Sequence, residues 1–211
     1  MTRIEGFSDA VFAIALALLV VSLEVPKTMD ELEKLARGFV PFALMFTMVC
    51  WVWYEHNKFF RRYGLQDAWT AFLNCVLLFV ILFYVYPLKF LTTWLLGGFF
   101  RLDQPTIADH QVSTLMLLYS AGILLIFGTF VLLYVHAWRK RRALELTVVE
   151  EVELRFGMRA HLLSCAVAAL SLAIVLAGVP PFVGGIIYGL MGPLHGWNGY
   201  SQGKAVEKLP S

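Results

Sequence analysis

The protein has 211 residues, of which 59% are hydrophobic and only 15% are charged, and its mean hydropathy is +0.71. An ordinary soluble domain carries about 25% charged residues, and a single soluble core of this length cannot bury so much apolar surface. The composition therefore excludes a soluble domain and indicates an integral membrane protein. Three cysteines, Cys50, Cys75 and Cys165, lie inside apolar runs, so we predict neither a disulfide framework nor a zinc site.

Six apolar segments are visible with a window of about 19 residues, the length of a transmembrane helix. They lie at approximately residues 7–25, 39–60, 69–96, 112–138, 158–179 and 182–197. The third is long enough to tilt or to contain an irregularity at Pro87. The sixth is short and glycine-rich, and the two prolines at 180–181 join it tightly to the fifth.

These segments predict an all-α membrane protein with six transmembrane helices in each subunit. Residues 1–200 would form one six-helix domain, and residues 201–211 a short polar tail. We also predict that the charged stretch 139–157 continues the fourth helix.

The distribution of cationic residues predicts the orientation in the membrane. If the N-terminus is cytoplasmic, 12 of the 17 lysines and arginines lie on the cytoplasmic side, four lie on the opposite side, and Lys89 lies within the third segment. This asymmetry favours a multi-pass protein of the cell membrane with both termini in the cytoplasm. The basic run 139–142 is most simply part of this topology signal, with binding of anionic lipid head groups as a second possibility.

Motifs of catalysis are missing from the sequence. It contains no P-loop, no dinucleotide-binding glycine motif after a strand and no HExxH zinc motif. We therefore expect no enzyme, no catalytic residues, no bound metal, no cofactor and no nucleic-acid partner. The carbonyl-filter loop of common potassium channels is absent as well.

Polar residues inside the apolar segments need partners, because an ionisable group in a membrane is costly. Ser8 and Asp9 lie in the first turns of the first segment, His56 near the cytoplasmic end of the second, and Asn74 early in the third. All four fall at a similar depth, which predicts a hydrogen-bonded cluster. His56 is most simply a structural histidine, and a proton relay is the alternative.

A helical wheel of the first segment separates these polar residues from an apolar stripe. At 100° per residue, Ile14, Leu18 and Val21 share one face, and Ser8 and Asp9 point away from it. Periodicity alone favours lipid contact or core packing for this stripe.

Short motifs add a family resemblance. The chain reads R-x-x-x-F-S-D from Arg3 to Asp9 and W-x-x-H from Trp53 to His56, and it carries Asn74 in the third segment. This combination resembles the transmembrane protein 175 family in its short bacterial form, over all six segments. The resemblance implies a homotetramer with a central pore lined by the first helix. It also implies a weakly selective cation channel that prefers potassium, the permeant ion.

The resemblance assigns a role to each motif residue. The pore constriction would consist of apolar layers at Ile14, Leu18 and Val21. A structural polar network would hold the first helix against the second and third, and it comprises Arg3, Phe7, Ser8, Asp9, Trp53, His56 and Asn74.

One position departs from the family pattern. Many members carry serine or threonine one turn beyond the first apolar layer, where this chain has Ala17, and this points to weak potassium selectivity. At the outer mouth, the hydroxyl of Ser22 would only partly replace the hydroxyl that is missing at position 17. Glu24 could form an acidic ring that concentrates cations, or it could be an interfacial carboxylate in water.

Two alternatives stay open at this stage, a channel that conducts protons and a secondary transporter coupled to protons or cations. Secondary transporters usually have an inverted repeat of three helices and ionisable residues in mid-span. This sequence shows no such repeat and has few ionisable residues in mid-span. The expected partners are further copies of the chain, membrane lipids, and potassium and other monovalent cations.

Overall fold

The computed structural model of the chain describes residues 2–21, 25–100, 102 and 105–209, without the side chains of Val21 and Asp109. Within these ranges the chain is helical and contains no strand. The helices in chain order are α1 Arg3–Val21, α2 Met29–Arg37, α3 Phe39–Tyr63, α4 Ala68–Phe100, α5 Asp109–Lys140, α6 Val148–Leu176, α7 Pro181–Ile187 and α8 Met191–Glu207, with a 3₁₀ turn at Tyr188–Leu190 between α7 and α8.

Each of the six predicted segments overlaps a helix among the described residues, so the all-helical prediction is confirmed. Three helices among the described residues, α4, α5 and α6, are long and apolar enough to cross a membrane. A fourth candidate is the pair α2 and α3, which are bent by 44° relative to each other. Pro87 lies inside α4 without ending the helix.

A first compact unit consists of Met1–Gly64 and Leu78–Ala108. Here α1 packs against α3. The short helix α2 was not predicted, and it buries none of its residues. Its N-terminus is capped by Thr28, whose hydroxyl accepts a hydrogen bond from the backbone N–H of Glu31 at 3.2 Å.

A second compact unit consists of Leu65–Leu77 and Asp109–Ser211. In this unit α5 and α6 run antiparallel, and α7 and α8 pack against α6. Gly157 of α6 allows the close approach to α5, because a β-carbon at this position would collide with the ring of Tyr134. The packing of α5 against α6 therefore requires a glycine at position 157.

The charged stretch 139–157 does not continue the fourth predicted helix, and that prediction was wrong. Helix α5 ends at Lys140, and α6 begins at Val148 after a turn. A capping box starts α6: the N–H of Thr147 donates to Oε2 of Glu150 at 2.8 Å, and the N–H of Glu150 donates to Oγ1 of Thr147 at 3.3 Å.

The sixth predicted segment is more irregular and longer than expected. The 3₁₀ turn at Tyr188–Leu190 separates α7 from α8. Helix α8 then continues to Glu207, so the first part of the stretch treated above as a polar tail is helical.

The three cysteines are free thiols, as the sequence predicted.

Candidate functional site

Helix α1 has two distinct faces within its unit. One face is buried and consists of Ser8, Val11, Phe12, Ala15 and Leu19. The spacing of these residues is that of a single helical face. The opposite face is exposed in the single chain and is centred on Phe7, Ala10, Ile14 and Ala17. Ala13 and Val20 are also exposed, but they lie about 100–120° around the helix from Ile14, outside this face.

Of the apolar stripe predicted as a constriction, one residue lies clearly on the exposed side. Ile14 is 53% exposed, and Leu18 is half-buried at the edge of this face. Val21 belongs to α1, but its side chain lies outside the described part of the chain, as do Ser22 and Glu24. The structure thus leaves Ile14 available for contacts beyond its own chain.

Asp9 connects α1 to α3. The indole Nε1–H of Trp53 donates a hydrogen bond to Oδ1 of Asp9 at 2.8 Å. This contact joins two motif residues from the predicted polar network and fixes the rotation of α1 relative to α3.

Ser8 and His56 lie on the buried side of the same pair of helices. The Ser8 hydroxyl is fully buried and donates to the backbone carbonyl of Ile4 at 2.8 Å. The His56 side chain is 1% exposed. Its ring lies 5.5 Å from the ring of Phe12 and 4.5 Å from that of Phe60, measured between centroids. Sequence reasoning missed Phe12, since a phenylalanine in an apolar segment carries no distinguishing signal.

The remaining members of the predicted network occupy different environments. Arg3 and Phe7 are exposed. Asn74 is buried in the N-terminal part of α4, which belongs to the second unit.

An ion-paired cluster at the start of α4 was not predicted. Asp67 Oδ2 lies 2.9 Å from Nε2 of His136 and 3.0 Å from Nζ of Lys140, and Asp67 Oδ1 accepts a bond from the N–H of Thr70 at 3.0 Å. Burial alone would raise the pKa of Asp67, but the hydrogen bonds from His136, Thr70 and Lys140 outweigh it and hold the pKa well below its usual value. The cluster ties the N-terminus of α4 to the last turns of α5.

A second set of polar contacts lies inside the α5–α8 bundle. The hydroxyl of Tyr188 donates to Oγ of Ser120 at 2.9 Å, and Oγ of Ser120 lies 3.1 Å from Oγ of Ser171. Farther along α6, Oγ of Ser164 lies 2.9 Å from Nε2 of His195. The seven-residue spacing of Ser164 and Ser171 along an apolar helix could have indicated this polar seam.

Comparisons with known proteins give a consistent assignment. Residues 3–84 match the family model described as endosomal/lysosomal potassium channel TMEM175. A protein of Marivirga tractuosa named potassium channel is 42% identical over 184 residues, which is 83% of this chain and 74% of the relative. A potassium channel of Chamaesiphon minutus is 30% identical over 102 residues, or 44% of this chain and 50% of the relative.

Two solved structures share the fold. A crystal structure of a variant of the potassium channel MtTMEM175, in complex with a nanobody–MBP fusion protein, superposes with a TM-score of 0.85 at 38% identity. The alignment covers 97% of this chain and 94% of that one. The crystal structure of a homologue, from Chamaesiphon minutus, of the lysosomal potassium-selective channel TMEM175 gives a TM-score of 0.53 at 25% identity over 90% and 96% of the two chains.

The matches define a class of membrane protein, the α-helical ion channels, and this class has no enzymatic activity. Within it, the chain belongs to the transmembrane protein 175 family. The resemblance drawn from the R-x-x-x-F-S-D and W-x-x-H motifs is therefore confirmed.

Proposed function

We propose that the protein is a cation channel that prefers potassium and is weakly selective. Four copies would surround a central pore lined by α1, with apolar layers at Ile14, Leu18 and Val21 in place of a carbonyl filter. Support comes from the relatives, which are named potassium channels, and from the solved structures of the same family.

The observation that carries this proposal is the exposed apolar face of α1. Ile14 is 53% exposed in the single chain, while the other side of the helix is buried in its own unit. The Asp9–Trp53 hydrogen bond holds that rotation in place. Helix α1 therefore has one face for its own subunit and one face free for a shared axis.

Elementary chemistry of such a pore predicts modest selectivity. A ring of four isoleucines has no oxygen that could replace the hydration shell of an ion, so the ion must pass partly hydrated or the ring must dewet and close. Potassium gives up water more readily than sodium, which favours potassium. Ala17, exposed on the same face, supplies no hydroxyl to strengthen that preference.

The proposal also includes the location of the protein, its permeant ion and the roles of the motif residues. We place it in the cell membrane with both termini in the cytoplasm, because most cationic residues then lie inside. It needs no cofactor, and potassium is the ion that passes. Arg3, Phe7, Ser8, Asp9, Trp53, His56 and Asn74 have structural roles, and Glu24 would line the outer mouth.

The test is a flux assay on purified protein in liposomes, with a potassium gradient and then a sodium gradient. We expect potassium flux to exceed sodium flux in the natural protein. The Ile14→Asn variant should raise sodium flux relative to potassium, because the amide wets and widens the constriction.

A matched control is Val20→Asn, an exposed position about 120° around α1 from Ile14. It should leave the ratio of potassium to sodium flux unchanged. An unchanged ratio in Ile14→Asn would remove Ile14 from the filter. Proton flux without potassium flux would favour the proton-conducting alternative.

A further inference from the structure

One long face of α6 stays exposed in the second unit, and its two ends differ in chemistry. The cationic end carries Arg155 and Arg159, one helical turn apart. The other end is apolar, with Leu162 and Leu170 each 47% exposed and Leu176 67% exposed. Their spacing places all of them on the same side of the helix.

Aromatic rings from neighbouring helices support both arginines. The Arg155 guanidinium lies 4.7 Å from the ring of Trp138 on α5, and that of Arg159 lies 4.0 Å from the ring of Trp197 on α8. Such stacking orients the planar guanidinium, whose N–H groups point outward in the ring plane and can donate two parallel hydrogen bonds. The two guanidinium groups thus lie against aromatic rings near the surface.

The local charge balance leaves the cationic end positive. Glu151 is paired with Arg141 and Arg155, at 3.6 Å and 3.8 Å. Over residues 139–159 the chain carries six lysines and arginines and four glutamates, an excess of two positive charges. The Arg155 side chain remains 60% exposed in spite of its ion pair. An anion that approaches this end meets an excess of guanidinium groups.

We propose that this face of α6 binds a single anionic phospholipid. Its phosphodiester would accept hydrogen bonds from Arg155 and Arg159, between Trp138 and Trp197, and an acyl chain would lie along Leu162 and Leu170.

Length and charge together favour a lipid over other occupants. Eleven residues separate Arg159 from Leu170, which corresponds to about 16 Å of helix, and one leaflet of a bilayer core is about 15 Å thick. A free phosphate would use the arginines but leave the apolar track uncovered. A second copy of the chain would have to bring an acidic group to the same point.

The experiment is native mass spectrometry of the purified protein in detergent, titrated with phosphatidylglycerol or with phosphatidylcholine of the same acyl chains. We expect phosphatidylglycerol to be retained more strongly. In the double variant Arg155→Gln with Arg159→Gln, its affinity should fall about tenfold, since each lost cation weakens attraction to an anionic lipid. Retention of phosphatidylcholine should fall less, because its choline ammonium offsets the charge of the phosphodiester and it gains less from the arginines.

Arg37→Gln is the matched control, because Arg37 is also an exposed arginine paired with an acid one turn away, on α2 in the other unit. It should leave lipid retention unchanged. The charge-conserving variant Arg155→Lys with Arg159→Lys guards against misfolding. It should keep the preference for the anionic lipid at reduced strength, because lysine lacks the planar fork.

Three results would overturn the proposal. Equal retention of the two lipids by the natural protein would exclude a phosphodiester site that discriminates by charge. Glycerophosphoglycerol has no acyl chains. If it bound as tightly as the lipid, Leu162 and Leu170 would not contribute to binding. A change of oligomer mass in the double variant with unchanged lipid retention would show that the face contacts another copy. All of these outcomes are independent of which ion permeates.

Discussion

At the scale of single residues, the central feature is that α1 has two different sides with two tasks: one is buried in its own unit, and the other, which we propose lines the pore, is exposed. Phe12 and Leu19 are almost fully buried, at 2% and 1% exposure, whereas Ile14 is 53% exposed. The wheel drawn from the sequence separated Ile14 from Asp9 because both tasks follow the 3.6-residue period. It could not show which partner Asp9 uses, since hydrogen-bond pairing between helices depends on their packing.

The Asp9–Trp53 bond predicts a defect of assembly more than of permeation. Asp9→Ala leaves the indole N–H of Trp53 without this acceptor. It should destabilise the folded chain by about 1 kcal/mol, the net contribution of an ordinary hydrogen bond, since Trp53 is 37% exposed. We expect a smaller fraction of assembled protein on size-exclusion chromatography. The assembled fraction should show normal flux in liposomes.

Asp30→Ala serves as the control for this experiment, since Asp30 is an exposed acid on α2. It should give the natural elution profile. Full recovery of assembled Asp9→Ala protein with altered conductance would instead place Asp9 in the permeation path.

At the scale of helices, the sequence predicted where each long helix lies more accurately than where it begins and ends. The apolar windows found every long helix because burial in lipid requires a continuous run of hydrophobic side chains. They missed α2, which has only nine residues and is charged on one side. They also placed the start of α6 about ten residues late, because acidic and basic residues fill its first turns. The capping residues Thr147 and Glu150 were the signal that could have marked this start.

The Asp67 cluster shows a second limit at this scale. Asp67 lies 69 residues from His136 in the chain, so no local pattern joins them. The short loop before α4 nevertheless carries a cap: Oδ1 of Asp67 accepts hydrogen bonds from the N–H groups of Trp69 and Thr70 at 3.1 Å and 3.0 Å. The contact between helices emerges only when α4 and α5 meet.

The cluster predicts a stability that depends on pH. The pKa of Asp67 is held below its ordinary value of 3.8, so the folded state favours the ionised form. This stabilisation is fully present above the ordinary value and is lost as the pH falls below it. At pH 7, Asp67→Asn should lower the thermal unfolding midpoint by about 2–4 °C.

The difference between the variant and the natural protein should shrink progressively below about pH 4, because the unfolded chain then binds a proton at Asp67 that the folded chain does not bind. Thermal unfolding followed by circular dichroism at pH 7 and at acidic pH measures this. Asp30→Asn, at an exposed acid, should show little difference at either pH. A constant difference at every pH, or none at pH 7, would contradict a charged contact at Asp67.

At the scale of the whole molecule, family membership and the exposed face of α1 together support a pore shared between copies. Hydropathy alone could not distinguish this face from one in contact with lipid, because both are apolar. In the sequence, the family motifs made this distinction, because the resemblance places the first pore layer at a fixed number of residues after Asp9, at Ile14. In the structure, the exposure of Ile14 and the burial of the opposite side favour the same interpretation.

The most direct test of the central claim is cadmium block at position 14. Cys50, Cys75 and Cys165 are first replaced by serine, and Ile14→Cys or Val20→Cys is then introduced. Four cysteines around a narrow axis would form a thiolate site that a soft cation such as Cd²⁺ binds tightly. We predict that Cd²⁺ blocks potassium flux through Ile14→Cys in liposomes and spares Val20→Cys. Unimpaired flux through Ile14→Cys in saturating Cd²⁺, with the thiol shown to be present, would contradict an apolar constriction at Ile14.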